Sequence, residues 1–217
     1  MARGQLAGEA ECIRIIGTIP TVVGQRAYNF SSINLGVSAT TGVQGAININ
    51  TLQVSIAVGQ QWLTPRSWPW FQLYHMNNVV PQNGPPQNWS QYGQGAAPPA
   101  AGSAFGGSFY LDPPPDDIYM LNCDCVCYPI PLVDDTTVEA IPYLWTDAVP
   151  FFACYYALLS SQTSARQADA ERMFNHYETF VQRARQMSNP SVGRYMYSQS
   201  VDPTVAAKLG KQQQGAA

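Results

Sequence analysis

Two stretches of the chain alternate between apolar and polar positions and predict β-strands. In AININTLQVSIAV, residues 46–58, the apolar positions keep a period of two except for one phase slip near Asn50, which predicts a β-bulge. The second stretch, MLNCDCVCYP, is predicted to be a strand that ends near Pro129. Because successive side chains of a strand point to opposite faces, one face of this strand should carry Leu121, Cys123, Cys125 and Cys127.

Shorter β-branched and aromatic runs predict further strands. IRIIGTIPTVVG predicts a strand that reaches Gly24, QRAYNFSSI predicts a second one, and SFYLDPPPDD predicts a short strand that its prolines stop. A Gly/Ser/Thr/Ala loop is expected over residues 36–45. Residues 81–107 are rich in Pro, Gly and Gln and predict a long loop that is functional, mobile or held against a neighbour.

Three segments have helical periodicity. ARGQLAGEAECIR predicts a short helix, and TDAVPFFACYYALLSSQ predicts an apolar helix with Asp147 as its N-cap. TSARQADAERMFNHYETFVQRARQMSNP is amphipathic, with apolar residues at helical spacing: Ala170, Met173, Phe174, Tyr177, Val181 and Ala184. The last two helices are expected to form an antiparallel hairpin over about residues 143–187.

This order of elements predicts the α+β class: a mainly antiparallel β-sheet or sandwich with a short N-terminal helix and a C-terminal α-helical hairpin. We expect a single domain over residues 1–190, with its β part at about 13–133. Residues 191–217 have no core pattern and are expected to form an arm or tail.

The composition favours permanent contact with other protein. The chain is 46% hydrophobic and 12% charged, whereas about 25% charged residues is usual. No Lys or Arg lies between Arg66 and Arg166, a span with eight acidic residues. An acidic middle with mildly basic ends is expected where copies pack side by side or around a charged channel. No basic cluster with interleaved aromatics indicates a face that reads nucleic acid.

The chain shows no sign of a membrane span or a signal peptide. It has no run of about 18 apolar residues, and acidic residues occupy the N-terminal segment where a signal peptide needs an apolar core. We expect a cytoplasmic origin with reduced thiols.

The cysteine spacing argues against a metal or redox centre. Zinc sites need paired cysteines two to four residues apart and a second pair elsewhere, whereas this chain has C-x-C-x-C, with Cys12 and Cys154 alone. Neighbours two apart on a regular strand are poorly placed for a disulfide. A buried cysteine behaves as a small hydrophobe, so these cysteines are predicted to pack in the core.

The remaining candidate residues are more consistent with structure than with catalysis. His176 is predicted at a solvated helix edge and His75 lies in an aromatic segment, and no G-x-S-x-G motif marks a nucleophile. The pairs 116–117 and 134–135 are adjacent aspartates that favour turns over acid–base or metal chemistry. The aromatic run WLTPRSWPWF favours core and subunit contacts over stacking on bases or sugars. We therefore assign no catalytic, metal-binding or cofactor-binding residue and expect no enzyme.

Three segments resemble the head-to-tail adaptor, or connector, proteins of tailed bacteriophages, the family that includes tail tubular A-like proteins. They are GTIPTVVGQRAYNF, GSFYLDPPPDDIYMLNCDCVCYPIPL and AIPYLWTDAVPFFACYYALLSSQ, the last followed by ADAERMFNHYETFVQRARQ. The resemblance covers about residues 6–190.

The resemblance implies a structural virion protein that forms an oligomeric ring, usually of twelve copies. Such a ring joins the portal protein of the head to the tail nozzle or other tail proteins and lines the channel through which DNA passes without specific contact. It implies no cofactor and no membrane, assembly in the host bacterial cytoplasm, a helical hairpin (residues 146–187) packed within the ring, and an arm after Ser188 that reaches the portal or a neighbour. An acidic middle span suits such a channel.

Three alternatives remain open. Within the same class, the chain could be another tail component, such as a nozzle, tube or completion protein. A β-rich virion hydrolase would need a cleft with convergent His, Asp or Glu residues, and a carbohydrate-binding module is suggested by the tryptophans.

Overall fold

The computed structural model describes residues 2–57, 59–77, 82–93, 95, 106–160 and 164–188, without the side chains of 74–77 and 164–165. It confirms the α+β prediction. The helices are α1 (Ala2–Ala10), α2 (Ser38–Thr41), α3 (Trp68–Asn77), α4 (Ala148–Leu159) and α5 (Ser164–Ser188), with 3₁₀ turns at Phe30–Ser32 and Tyr143–Trp145.

Eight strands form two four-stranded sheets. They are β1 (Arg14–Pro20), β2 (Ala27–Asn29), β3 (Val43–Ile56), β4 (Gly59–Trp62), β5 (Thr64–Pro65), β6 (Asn88–Tyr92), β7 (Ser108–Asp112) and β8 (Met120–Pro129). Sheet A has the order β1-β8-β3-β4 and is antiparallel throughout. Sheet B has the order β2-β7-β6-β5, in which the two-residue β5 pairs in parallel with β6.

The two sheets bury their facing sides in one hydrophobic core. The alternate residues of β8, with cysteine at three of four positions, are fully buried, and the first two of them, Leu121 and Cys123, lie opposite the fully buried Val54 and Leu52 of β3. Sheet B contributes Phe109 and Leu111, also fully buried, to the same cluster. Phe109 stacks on Tyr28 at 5.4 Å between ring centroids. Burial of apolar area between the sheets is the main force that holds them together.

Helix α1 joins sheet A to the two C-terminal helices. Helix α1 packs on β8 and on the C-terminal helices, and its apolar residues Leu6, Ala7 and Ala10 are fully buried. The predicted hairpin of α4 and α5 is confirmed. Its aromatic contacts run in opposite chain directions, as an antiparallel pair requires: Phe151 with Phe180, Phe152 with Tyr177, and Tyr155 with Phe174.

Polar contacts tie the helical layer to the sheet. The Arg14 guanidinium pairs with the Asp124 carboxylate, and its Nη1 also donates to the Ser188 carbonyl at the end of α5, at 2.6 Å. Tyr177 on α5 donates its hydroxyl to Glu9 on α1 at 2.8 Å. Burial, reinforced by this hydrogen bond, raises the Tyr177 pKa. These contacts fix the register of the helical layer.

The N-terminal half corrects three sequence predictions. The first strand does not reach Gly24: β1 ends at Pro20, and a turn follows in which Gly24 has φ +74°. The second strand shrinks to Ala27–Asn29 because a 3₁₀ turn begins at Phe30. The predicted loop over 36–45 contains α2, and β3 already starts at Val43, after Gly42 closes the helix at φ +67°.

Two elements in the middle of the chain were not predicted. The long loop predicted over 81–107 is wrong for its first part, where β6 pairs with β7 along its whole length. The Pro- and Gln-rich composition of this segment gave no sign of a strand. The strand forms because β7 supplies its hydrogen-bond partners. The aromatic segment forms α3, which closes over β6 and buries Phe71 completely. Tertiary packing thus outweighs weak local propensity in both cases.

The predicted slip in β3 is confirmed, and Asp147 lies at the predicted N-cap position of α4 but does not cap the helix with its side chain. The β3–β8 register shifts between Ile49 and Thr51, with two further shifts nearer the start of β3. Asp147 makes no side-chain cap bond, and its backbone is already helical. The 3₁₀ turn before α4 replaces the cap, because the Thr146 carbonyl accepts the Val149 N–H at 3.1 Å.

Candidate functional site

The cysteines of β8 lie where the strand period predicted them. Cys123, Cys125 and Cys127 are fully buried free thiols. Burial raises the pKa of Cys127 to about 12 and that of Cys12 to about 11. The contact with Cys125, together with burial, raises the Cys123 pKa. Thiols held protonated in a core are poor nucleophiles and poor metal ligands, so the prediction of core packing is confirmed.

The native chain is expected to react with maleimide at one of its five cysteines. Cys154 is the exposed one. At pH 8 the other four thiols are both buried and, where their pKa is raised, protonated. Mass spectrometry of the labelled chain should show one adduct under native conditions and five in denaturant. Two or more rapid native adducts would contradict the buried arrangement of β8.

The adjacent aspartates form turns, as predicted. Asp134 accepts hydrogen bonds from Thr136 and Thr137, which lower its pKa. Asp116 accepts the Tyr119 hydroxyl at 2.7 Å, and this bond raises the Tyr119 pKa to about 12. All four aspartates of the two pairs are exposed.

His176 is the histidine whose side chain is described, and it contacts an aromatic ring. His176 is exposed at the edge of α5 against Phe151, with ring centroids 5.4 Å apart, as predicted for a solvated position. The His75 side chain lies outside the described residues. Within the described residues, no group of three His, Cys, Asp or Glu side chains could hold a metal ion. None of the helices described there is long and apolar enough to cross a membrane.

A cavity of about 420 Å³ lies between the start of β3 and the segment that follows β2. Its lining includes Phe30, Ile33, Leu35 and Val43 with backbone and small polar groups, and none of the described residues that line it is titratable. Such a lining offers no acid, base or charged group to a substrate.

The aromatic run is partly core and partly surface. Phe71 is buried, and Trp68 lies between Tyr92 and Tyr110 at 4.8 and 4.6 Å between ring centroids. The Arg66 guanidinium lies 5.0 Å from the Trp70 ring centroid. Core packing is therefore confirmed for Phe71, and the contribution of this run to a subunit contact stays a prediction.

The outward face of α4 is an apolar surface that has no partner in the described structure. The helix reads AVPFFACYYALL and is apolar throughout, and the chain carries no charge from 148 to 165. Its aromatic side packs on α5. The other side is exposed at Pro150, Ala153, Cys154, Tyr156 and Ala157. A helix that is apolar all round is normally buried on all sides, so this face indicates a protein contact.

The segment before α4 extends this apolar surface along the chain. Tyr143 is 90% exposed and Leu144 is 66% exposed, directly before the helix. Sequence reasoning predicted an apolar helix here but could not show which of its sides the fold leaves open.

Comparison with known proteins agrees with a structural site rather than a catalytic one. The family model described as SU10 adaptor protein matches residues 2–204. No curated protein matches the chain significantly. The family match confirms the resemblance found in the sequence and implies a structural role as a component of the virion. The chain belongs to the SU10 adaptor protein family, a family of phage head-tail adaptors.

Proposed function

We propose that copies of this chain form a closed ring that joins the portal of the phage head to the tail and lines the DNA channel. Twelve copies are expected from the connector resemblance. The ring assembles in the host bacterial cytoplasm and remains in the virion. In this proposal the chain works by assembly, and its functional residues are contact residues.

The observation that carries the proposal is the outward face of α4. A permanent interface has an apolar core with few charged residues, and this face has none. Ala153 and Ala157 are small and allow a neighbouring element to approach closely. We assign the α4–α5 hairpin to contacts within the ring, with the α4 face against the next copy.

The acidic turns support the channel assignment. Asp116, Asp117, Asp134 and Asp135 are exposed, and no Lys or Arg lies in the chain between Arg66 and Arg166. A wall of like charge with DNA lets the polymer pass without holding it. In the proposed ring these aspartates face the lumen, in a single domain over residues 1–190, and the arm 191–217 reaches the portal or a neighbouring copy.

Maleimide labelling of Cys154 tests the contact directly. The free chain should label at this thiol, and labelling should fall at least tenfold when the chain assembles with the portal protein of its phage. A Cys154→Ser, Gln182→Cys chain is the matched control, because position 182 is exposed on the charged side of α5 and should stay reactive in the ring.

The outcomes separate the alternatives. If Cys154 labels as fast in the ring as in the free chain, the α4 face is not part of the contact between copies. Assembly with tail proteins but never with a portal would favour a nozzle, tube or completion protein. Glycan binding by the free chain would favour a carbohydrate-binding module.

A further inference from the structure

The two edges of sheet A each have outward backbone groups that no strand of the described structure pairs with. Strand β4 forms one edge and β1 the other. Open edges invite pairing with another chain, and natural proteins usually protect them with charge, proline or a bulge. Strand β4 has none of these: all four of its residues are exposed, and the chain carries no charge from 46 to 65.

The hydrogen-bond parity of β4 shows which groups face outward. The Leu63 N–H donates to the Leu52 carbonyl at 2.9 Å, toward β3. Backbone groups of an antiparallel strand alternate between its two sides, so Gln61 also bonds inward, while Gln60 and Trp62 turn their N–H and C=O outward. The described residues place no strand against this outer side.

The same reasoning applies to β1. The Cys127 N–H donates to the Ile13 carbonyl, toward β8, whereas the Thr18 N–H donates outward to Asn34. The backbone N–H and C=O of Ile16 therefore also point outward, away from β8. The Thr18–Asn34 bridge covers the later part of the edge, and within the described residues no strand or bridge pairs with the outward backbone groups of Ile16.

Direction and side-chain placement agree with a contact between these two edges. Each neighbouring pair in β1-β8-β3-β4 is antiparallel, so β4 runs opposite to β1 and would pair antiparallel with the β1 of a second copy. Ile16 lies opposite Asp124, and Trp62 lies opposite Gln53, which lies opposite Asn122. Because Asn122 and Asp124 are two apart on β8, Ile16 and Trp62 project from the same face of sheet A.

The exposed apolar side chains at the two edges supply the second argument. Ile16 is 71% exposed and Trp62 is 61% exposed. Because the Thr18–Asn34 bridge covers position 18, antiparallel pairing sets Ile16 opposite Gln60 and diagonal to Trp62. Across this diagonal, which an aromatic side chain can span, Ile16 and Trp62 shield each other from water.

We propose that β4 of one copy adds to the β1 edge of the next copy, so that sheet A continues from subunit to subunit. This inference rests on the proposed ring and specifies one of its contacts. The contact is head-to-tail, because it joins two different surfaces, and head-to-tail contacts close into rings when the rotation between copies allows it.

Cross-linking tests the edge contact. In a Cys154→Ser chain, which leaves only buried thiols, we would introduce Ile16→Cys and Trp62→Cys and treat the assembled protein with a short bismaleimide. The double variant should give a ladder of covalent multimers. Each single variant alone should give no covalent multimers, and an equimolar mixture of the two should give covalent dimers and nothing larger. Both positions are exposed, and circular dichroism verifies that each variant folds.

The failures are distinguishable. Rings that form by electron microscopy but give no ladder would overturn the edge contact and leave the proposed function standing. Dimers from either single variant would show self-pairing of one edge and would also overturn it.

Gln60→Pro serves as a second test, because it removes one outward N–H and no inward hydrogen bond. It should weaken assembly at least tenfold, and unchanged assembly of a folded Gln60→Pro chain contradicts the inference. Absence of any ring overturns the proposed function and this inference together.

Discussion

Replacing Ala153 with glutamate is expected to abolish ring assembly and leave the free chain folded. Ala153 lies near the middle of α4 on the exposed face. In the free chain the new carboxylate stays in water, so the free energy of unfolding should change by about 0.5 kcal/mol. In the ring the carboxylate would be buried without a partner, at a cost of about 3 kcal/mol or more per contact, which weakens each contact at least about 100-fold.

The matched control for Ala153→Glu is Gln182→Glu. It adds the same charge on the exposed side of α5, between Glu178 and Arg185, and should assemble like the natural chain. Sedimentation velocity of both variants with the portal protein measures the effect. Normal rings from Ala153→Glu would show that the α4 face stays in solvent after assembly.

Replacing Phe109 with alanine is expected to lower the free energy of unfolding by about 3–5 kcal/mol. Phe109 is fully buried between the sheets and contacts Tyr28 and Phe30, with ring centroids at 5.4 and 6.4 Å. The loss combines the burial of the ring with the cavity it leaves. This is a large part of the stability of a domain of this size, so part of the protein should already be unfolded at 37 °C.

Chemical denaturation measures this effect, and Tyr143→Ala provides the comparison. Tyr143 is an aromatic residue that is almost fully exposed, so its removal should change the free energy of unfolding by less than about 0.5 kcal/mol. Equal effects at the two positions would mean that the two sheets do not pack through Phe109.

The strongly periodic elements could be predicted from the sequence. The period of two in β8 and β3 gave the buried cysteine face and the bulge near Asn50, because side-chain direction alone decides burial there. The i, i+3, i+4 pattern of α5 gave the buried positions of Tyr177, Val181 and Ala184. The turns at the aspartate pairs followed from local chemistry.

The missed features depend on contacts that are distant in the chain. Strand β6 is rich in polar residues and is stabilised by its hydrogen bonds to β7. Helix α3 is stabilised by its packing on β6. Sheet order also results from long-range pairing, because the paired residues of β1 and β8 are 100 or more positions apart in the chain. The apolar character of α4 was visible in the sequence, but the side of α4 and the edges of sheet A that stay open were not, because exposure is decided by the assembled fold.

The most direct test of the adaptor account is electron microscopy, with native mass spectrometry, of the purified chain mixed with the portal protein of its phage. The account predicts a closed ring of identical copies on the portal, with a continuous channel through both. A stable monomer that neither closes into a ring nor binds the portal would contradict it.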